Sequence, residues 1–181
     1  MASWSAITRR IRVPLGFAFA VLYLWLAKPT FTSILWGSVV VIPGLIIRAL
    51  ASGHLRKNEQ VTTSGPYAYT RNPLYLGSLL LAVGFAVAGR SWWIVAALIL
   101  IFLLIYVPVI RAEEAFLRGQ FPEYEEYARR VPWLLPRFSS ASSKWSEFSW
   151  ELYWKHREYN AILGSVAMMA ALVLKLSWTS R

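Results

Sequence analysis

The sequence contains no cysteine and no aspartate, and only 15% of its 181 residues are charged. Without cysteine, disulfide bonds and thiolate chemistry are excluded. Without aspartate, the aspartate-rich motifs that bind metal–diphosphate groups are excluded as well. The two histidines, His54 and His156, lie about a hundred residues apart in separate polar segments. We therefore expect no metal site.

Charge is also missing from five long apolar stretches, at residues 13–27, 29–47, 72–89, 91–110 and 159–174. A helix needs about 20 mostly apolar residues to cross a bilayer. We therefore predict an all-α, polytopic integral membrane protein with about five transmembrane helices and additional interfacial helices. The two shorter stretches can still span, because flanking lysine and arginine side chains extend toward water. A signal peptide is the alternative for the first stretch, but no small-residue cleavage site follows it.

Basic residues are distributed unevenly along this chain of net charge +10. In a five-helix topology, one side of the membrane carries only Lys28, Arg90, Lys175 and Arg181, and the other side carries the remaining 15 of 19. The positive-inside rule then places the N-terminus in the cytoplasm and the C-terminus on the opposite side of an inner, plasma or endomembrane. The positive charge indicates contact with anionic membrane lipids, and no nucleic-acid motif is present.

The pattern divides the chain into three parts. Residues 1–61 form a pair of transmembrane helices and an inner loop, residues 62–138 form a core, and residues 139–181 form a C-terminal extension. The extension begins with the linker "SSASS" and continues with a tryptophan-rich segment that is typical of an interfacial helix. Small residues along its last helix predict close packing within the chain rather than dimerisation.

A tight link brings two polar clusters together. Only "GRS" separates the third helix, at about 73–88, from the fourth, at about 92–110, so the two form an antiparallel hairpin. We expect the fourth helix to extend to about Arg118 and to stop at Gly119. Because Glu113 and Glu114 point about 100° apart on a helix, at least one should face the protein and need a cationic or N–H partner. Either Arg71 or a positively charged ligand could be that partner.

A further helix is predicted to begin at Pro122. The ion pairs Glu125–Arg129 and Glu126–Arg130 have the favourable i,i+4 spacing. Tyr124 and Tyr127 form a stripe that should pack either on the protein core or on a ligand.

Two motifs make the sequence recognisable. "GPYAYTRNPLYLG" (residues 65–77, the first signature) resembles the first motif of the isoprenylcysteine carboxyl methyltransferase and phospholipid methyltransferase family. "RAEEAFLRGQFPEYEEYARRVPWLLP" (residues 111–136, the second signature) is similar to that family's second motif. The two signatures occur in the family's order, with a hydrophobic hairpin between them. The resemblance implies a membrane methyltransferase that uses S-adenosylmethionine, releases S-adenosylhomocysteine and takes a lipid-like or isoprenoid acceptor from the bilayer.

The resemblance also implies which residues form the cofactor site. In the first signature they are Tyr67, Arg71, Asn72, Pro73, Tyr75 and Gly77. In the second they are Glu113, Glu114, Tyr124, Tyr127, Pro132, Leu135 and Pro136, with one glutamate holding the cofactor's ammonium group. Arg71 or Arg111 would orient the acceptor, so the predicted catalytic residues are Arg71, Arg111 and Glu113.

Asn72 stands where the family usually has a histidine, and an amide cannot accept a proton near neutral pH. A carboxylate acceptor needs no protein base, so this difference favours carboxyl O-methylation. Phospholipid N-methylation, which a base would assist, stays open. A membrane reductase of related fold that uses NADPH and a membrane scaffold without activity are the remaining alternatives.

Overall fold

The structure, a computed structural model, describes residues 18–56, 60–137 and 147–179. Throughout these ranges the regular elements are all helical, which confirms the predicted all-α class. A short 3₁₀ helix, Gly65–Ala68, lies between the second and third α-helices. The α-helices are α1 (18–26), α2 (Phe31–His54), α3 (Pro73–Gly89), α4 (Trp92–Gln120), α5 (Tyr124–Arg130), α6 (Trp150–Lys155) and α7 (Tyr159–Thr179).

Three helices in the described ranges, α2, α4 and α7, are long and apolar enough to cross a membrane. Helix α3 is also apolar but has 17 residues. Large apolar side chains on these helices, such as Ile42, Leu104 and Val166, point away from the protein. The protein is therefore an integral membrane protein. Five spans and the orientation of the termini stay predictions, and the expected start of the first helix lies outside the described residues.

Helices α2 and α3 pack closely along two pairs of glycines. A Cβ atom added to Gly77 would lie 2.8 Å from the Gly44 carbonyl oxygen, and one added to Gly84 would lie 2.8 Å from the Gly37 oxygen. Small residues allow this approach of two helix backbones in a membrane. The first signature continues into the first turns of α3, so this helix pair positions it.

Helix α2 begins with a capping box, in which the Thr30 and Ser33 side chains each bond the other's backbone N–H. It contains Pro43 and ends at His54, seven residues beyond the uncharged stretch at residues 29–47. The last turn is held from outside the helix, because the Phe148 ring packs where a side chain on Gly53 would otherwise be.

Helix α4 follows the hairpin link at Arg90 and Ser91 and is interrupted by a π-helical turn, Phe102–Tyr106. The turn ends two residues before Pro108. Proline has no N–H, and its ring clashes with the carbonyl of the residue four positions earlier. A wider turn relieves this conflict. The helix then continues through the predicted stop at Gly119 and ends at Gln120.

Helix α5 begins at Tyr124, two residues after the predicted start at Pro122. The predicted ion pair Glu126–Arg130 is present, with 3.4 Å between Oε1 and Nη2. The predicted partner of Glu125 was wrong, because its carboxylate lies 3.6 Å from Nε of Arg118, on α4. Arg118 is near because α4 and α5 turn back on each other at Phe121.

The C-terminal extension differs from the prediction in two respects. Within the described residues, the helical part of its tryptophan-rich segment is α6, whose Trp150 and Trp154 are exposed. The predicted linker at residues 139–143 lies outside the described residues. Close packing at Gly164 was wrong, since nothing lies within 4 Å of a Cβ added there. Helix α7 contacts the core instead through Leu172, which is fully buried in a cluster with Tyr23.

Candidate active site

The first signature begins with a turn that only glycine adopts easily. Gly65 has a φ of +59°, in the left-handed region. It also lies against the buried His54, since an added Cβ would be 2.7 Å from Cδ2 of that ring. The 3₁₀ turn that follows carries Tyr67, whose side chain is buried. Both constraints on Gly65 thus serve to place Tyr67 inside the protein.

The two signatures are joined by hydrogen bonds where residues 69–72 lie beside residues 132–137. Thr70 supplies a side-chain bond, and backbone N–H groups supply the others. The bonds are Arg71 N to Pro132 O (2.9 Å), Arg137 N to Tyr69 O (3.1 Å) and Thr70 Oγ1 to Leu134 O (2.8 Å). The closing end of the second signature is therefore fixed against the first.

Glu114 is the carboxylate that faces the protein. Its Oε1 lies 3.5 Å from Nε of Arg71, and the two side chains are 13% and 12% exposed. The same oxygen accepts a hydrogen bond from Nδ2 of Asn72 at 3.1 Å. Asn72 also donates to the Trp133 carbonyl at 2.9 Å. The prediction that one glutamate pairs with Arg71 is confirmed, whereas the role of Asn72 as its second partner was not foreseen.

Glu113 differs from its neighbour because its side chain is exposed, as is that of Arg111. The rotation of about 100° per residue along a helix explains the difference. One carboxylate is thus committed to the protein, and the other is accessible to a ligand. The structure brings Arg71, Asn72 and Glu114 together, but it does not bring Arg111 into this cluster.

Two buried tyrosines of α5 pack beside the cluster of Arg71, Asn72 and Glu114. Tyr124 and Tyr127 contact each other edge to face, with ring centroids 5.8 Å apart. The Tyr127 hydroxyl donates to the Tyr67 carbonyl at 2.8 Å. This tyrosine stripe packs on the protein, which was one of the two predicted outcomes.

The buried phenols stay protonated at physiological pH. Burial, followed by the negative charge of Glu114, raises the pKa of Tyr124 to about 12. Burial likewise raises the pKa of Tyr127 and of Tyr67 well above the usual value. The three hydroxyls therefore keep their protons for donating hydrogen bonds and do not serve as bases.

The other predicted cofactor residues lie at different depths. Tyr75 contacts Tyr106 of α4 edge to face, with centroids 5.9 Å apart, which confirms that α3 and α4 meet at this end. Pro73 is fully buried in the first turn of α3. Gly77 lies in the α2–α3 interface rather than at a surface. In the second signature, Leu135 is 73% exposed and Pro136 is partly buried. Their cofactor roles stay predictions.

An apolar groove runs between α1, α3, α4 and α7, with a volume of about 290 Å³. Its walls include Tyr23, Phe85, Leu98, Gly164 and Met168. The open space beside Gly164, which contradicted the packing prediction, is part of this groove. Asn160 lies at its lining two residues after Glu158, so the groove approaches the polar end of α7.

Comparison with known proteins identifies the region that contains the site. Residues 49–124 match the phospholipid methyltransferase family. The match covers the first signature and the two glutamates of the second, so the predicted family resemblance is confirmed. No solved structure matches the chain.

The individual relatives of this chain are of two kinds. It is 48% identical over 84 residues to "Cobalt-zinc-cadmium resistance protein CzcN" of Cupriavidus metallidurans, which covers 46% of this chain and 39% of that protein. It is 37% identical over 116 residues to "Nickel-cobalt-cadmium resistance protein NccN" of Alcaligenes xylosoxydans xylosoxydans, covering 64% and 54%. It is 36% identical over 113 residues to a "Probable protein-S-isoprenylcysteine O-methyltransferase" of Oryza sativa subsp. indica, covering 55% and 59%.

The matches thus span between two fifths and three fifths of these relatives' lengths. They support a membrane methyltransferase fold and a distant relationship to isoprenylcysteine methyltransferases.

The residues of the cluster fit S-adenosylmethionine, the methyl donor that methyltransferases of this family generally use. Among the described residues, the buried Nε–H of Arg71 finds no hydrogen-bond acceptor, although it lies beside Glu114. A buried donor of this kind needs an acceptor, and a ligand carboxylate would supply one. The exposed carboxylate of Glu113 is suited to an ammonium group. The donor's amino-acid end carries both of these groups.

Proposed function

We propose that this protein transfers a methyl group from S-adenosylmethionine to a lipid-like or isoprenoid acceptor within the membrane. The observation that carries the proposal is the cluster of Arg71, Asn72 and Glu114. It joins the two signatures through a guanidinium whose buried Nε–H lacks an acceptor among the described residues, and through a carboxylate that lies beside Arg71 and binds Asn72. A packing role alone does not explain a buried arginine donor that lacks an acceptor.

The proposed roles follow from exposure and bonding. Glu113, which is exposed, binds the ammonium group of the methyl donor, and Arg71 binds its carboxylate. Glu114 holds Arg71 in place and is itself held by Asn72. When bound, S-adenosylmethionine supplies an activated methyl group on a sulfonium. The buried tyrosines keep the first signature rigid, which favours transfer by fixing the distance between reacting groups.

The bonding of Asn72 supports an acceptor that needs no protein base. Its amide donates to Glu114 and to the Trp133 carbonyl. The residue is therefore a fixed anchor, and no imidazole stands at this position. A carboxylate acceptor fits this arrangement, as in isoprenylcysteine carboxyl methylation, because opposite charges cancel during transfer in a site that excludes water. Phospholipid N-methylation is the alternative within the same family.

The apolar groove supports an acceptor with a hydrocarbon tail. It is lined by apolar side chains from four helices. Asn160 adds a polar group at the lining, where a tail would join its head group. We propose that the tail of the acceptor enters along this groove.

Calorimetry with S-adenosylhomocysteine on the detergent-solubilised chain tests the cofactor proposal. Glu113→Gln should weaken binding at least about tenfold, because a charge-assisted hydrogen bond contributes about 1.5–3 kcal/mol and 1.4 kcal/mol is a factor of ten. Glu123→Gln, which changes another exposed glutamate of the second signature, is the matched control and should bind normally. A folded wild-type protein that does not bind would refute the proposal.

A labelled methyl donor identifies the acceptor. It is added to host membranes with and without the protein, and the labelled lipids are then separated. A methyl ester released by mild alkali would indicate a carboxylate acceptor, and an alkali-stable label in a head group would indicate an amine. If neither lipid fraction contains label that disappears in the Arg71 and Glu113 variants, the proposal of a lipid acceptor is contradicted.

A role in metal resistance is a second candidate, favoured by the names of the two bacterial relatives. The methyltransferase site suggests that such a role would act through a methylated membrane component. A strain that lacks the protein should then grow poorly in cobalt, zinc or cadmium salts. The wild-type chain should restore growth, and Glu113→Gln should not. If the wild-type chain and Glu113→Gln restore growth equally, metal resistance does not depend on methyl transfer.

A further inference from the structure

Arg48 of α2 connects three elements near the predicted cofactor site. Its Nη1 donates to the Leu74 carbonyl at 3.3 Å and to Oγ of Ser78, both on α3. Its Nε and Nη2 bond the two carboxylate oxygens of Glu158, the second at 3.0 Å. The side chains of Arg48 and Glu158 are 23% and 8% exposed. A buried bidentate pair therefore joins the C-terminal extension to the first turns of α3.

This pair lies close to the first signature. A Cβ added to Gly77 would be only 2.5 Å from Cγ of Arg48, so the stem of the arginine crosses the turn between Tyr75 and Ser78. The charge of Arg48 also acts electrostatically on the Tyr67 hydroxyl. Burial is the main cause of the raised pKa of Tyr67, and the charges of Glu158 and Arg48 act on it in opposite directions. The two charges are thus part of the electrostatic environment of the site.

Further contacts fix the segment that carries Glu158. The Ser149 N–H donates to the Gly53 carbonyl at 3.0 Å. The Nδ1 atom of His156 lies 3.1 Å from the Ser52 carbonyl oxygen. The Phe148 ring fills the space beside Gly53. Residues 147–158, here called the C-terminal segment, are therefore anchored on the last turn of α2, where His54 lies against Gly65 of the first signature.

The charge of Arg48 raises a difficulty for the proposed function. The methyl donor carries a positive sulfonium, and a second cation near the site would repel it. Interactions between charges are strong where water is largely excluded. The Glu158 carboxylate removes this difficulty by pairing bidentately with Nε and Nη2 of the guanidinium.

We propose that Glu158, which lies outside the matched region 49–124, is a functional part of the cofactor site. Its carboxylate neutralises Arg48 and thereby allows the site to accept a cationic methyl donor. The C-terminal segment is then required for recognition of the donor's charge. This inference rests on the proposed methyltransferase function.

Two ligands that differ in charge at sulfur test the inference. S-adenosylmethionine and S-adenosylhomocysteine share the amino-acid and adenosine groups, but only the first has a sulfonium. Calorimetry on the full chain gives both dissociation constants. Glu158→Gln leaves Arg48 uncompensated, so binding of the sulfonium form should weaken at least about fivefold more than binding of the neutral form. A structural role alone would weaken both equally.

Variants of Arg48 should change the preference between the two ligands in the opposite direction. Arg48→Gln leaves the Glu158 carboxylate unpaired and should shift the preference toward the sulfonium form. The double variant Arg48→Gln/Glu158→Gln should restore the wild-type ratio of dissociation constants. Glu151→Gln, an exposed glutamate of the same segment, is the matched control and should leave the ratio unchanged.

Each outcome is decisive. Equal weakening of both ligands by Glu158→Gln, or an unchanged ratio in both single variants, would overturn the inference while the methyltransferase proposal stands. If the folded wild-type chain binds neither ligand, the proposed function fails and the inference fails with it.

Discussion

Replacing Glu114 by glutamine isolates the contribution of its charge. Glutamine keeps the length of the side chain and an oxygen that can still accept the hydrogen bond from Asn72. What disappears is the anion 3.5 Å from Nε of Arg71. Because Arg71 is only 12% exposed, water cannot fully replace the lost partner. We therefore expect Glu114→Gln to destabilise the protein.

The size of the effect follows from the geometry. Two unit charges 3.5 Å apart interact by about 5 kcal/mol at an effective dielectric constant of about 20. Relief of the desolvation of the carboxylate offsets part of this energy, and breaking buried pairs costs about 3–5 kcal/mol in general. Arg71 makes no hydrogen bond through Nε, so the lower value of about 3 kcal/mol applies. This corresponds to a melting temperature lowered by about 6–12 °C.

Thermal unfolding in detergent, followed by tryptophan fluorescence, measures this change. Glu113→Gln is the control, because it alters the adjacent carboxylate, which is exposed, and should melt close to the wild type. If the two variants melt at the same temperature, the assignment of Glu114 as the inward-facing carboxylate is refuted. If only Glu113→Gln is destabilised, the two carboxylates have exchanged roles.

Two further predictions concern packing and ionisation. Gly84→Leu should abolish folded yield in detergent, since even its Cβ would lie 2.6 Å from Val41 and 2.8 Å from the Gly37 carbonyl, whereas Gly164→Ala should have almost no effect because the space beside it is open. Burial and the charge of Glu114 raise the pKa of Tyr124 in the folded state to about 12, from an ordinary value of 10.0. The folded state retains this proton after the unfolded state has released it, so the contribution to stability is complete below pH 10 and is lost between pH 10 and about pH 12. Over that range the melting temperature should fall more steeply in the wild type than in Tyr124→Phe, and parallel curves would contradict the assignment.

Local sequence patterns were sufficient to predict the helices. Uncharged apolar stretches and their polar boundaries predicted the cores of α2, α3, α4 and α7. The structure confirmed Pro73 as the first residue of its helix. Helix ends that depend on distant residues were not predictable in this way. The last turn of α2 is packed by Phe148, nearly a hundred residues later in the chain, and no local pattern near Gly53 indicates that contact.

The site was predicted as a group of residues rather than as a set of bonds. Spacing brought Arg71 and Glu114 together, because the hairpin and the i to i+1 rotation on a helix are regular. The bonds of Asn72 to Glu114 and Trp133 depend on how the second signature folds back, and the sequence alone does not specify this. The ion pair of Arg48 and Glu158 was missed for the same reason. The seven-residue spacing of glycines in α2 and α3 was a signal that could have predicted their close packing.

The π-helical turn Phe102–Tyr106 sets the angular relation between the two halves of α4. The half before it presents apolar side chains to lipid, and the half after it directs Glu114 toward Arg71. Since each residue of an α-helix turns the chain by about 100°, the single extra residue accommodated by the wider turn sets the angular phase of everything that follows it. Deleting one residue there would leave the hydrophobic length nearly unchanged and would rotate both carboxylates away from their present directions. Helix α4 thus connects the lipid-facing surface to the site. The length of the helix and the direction in which its carboxylates point can be altered separately.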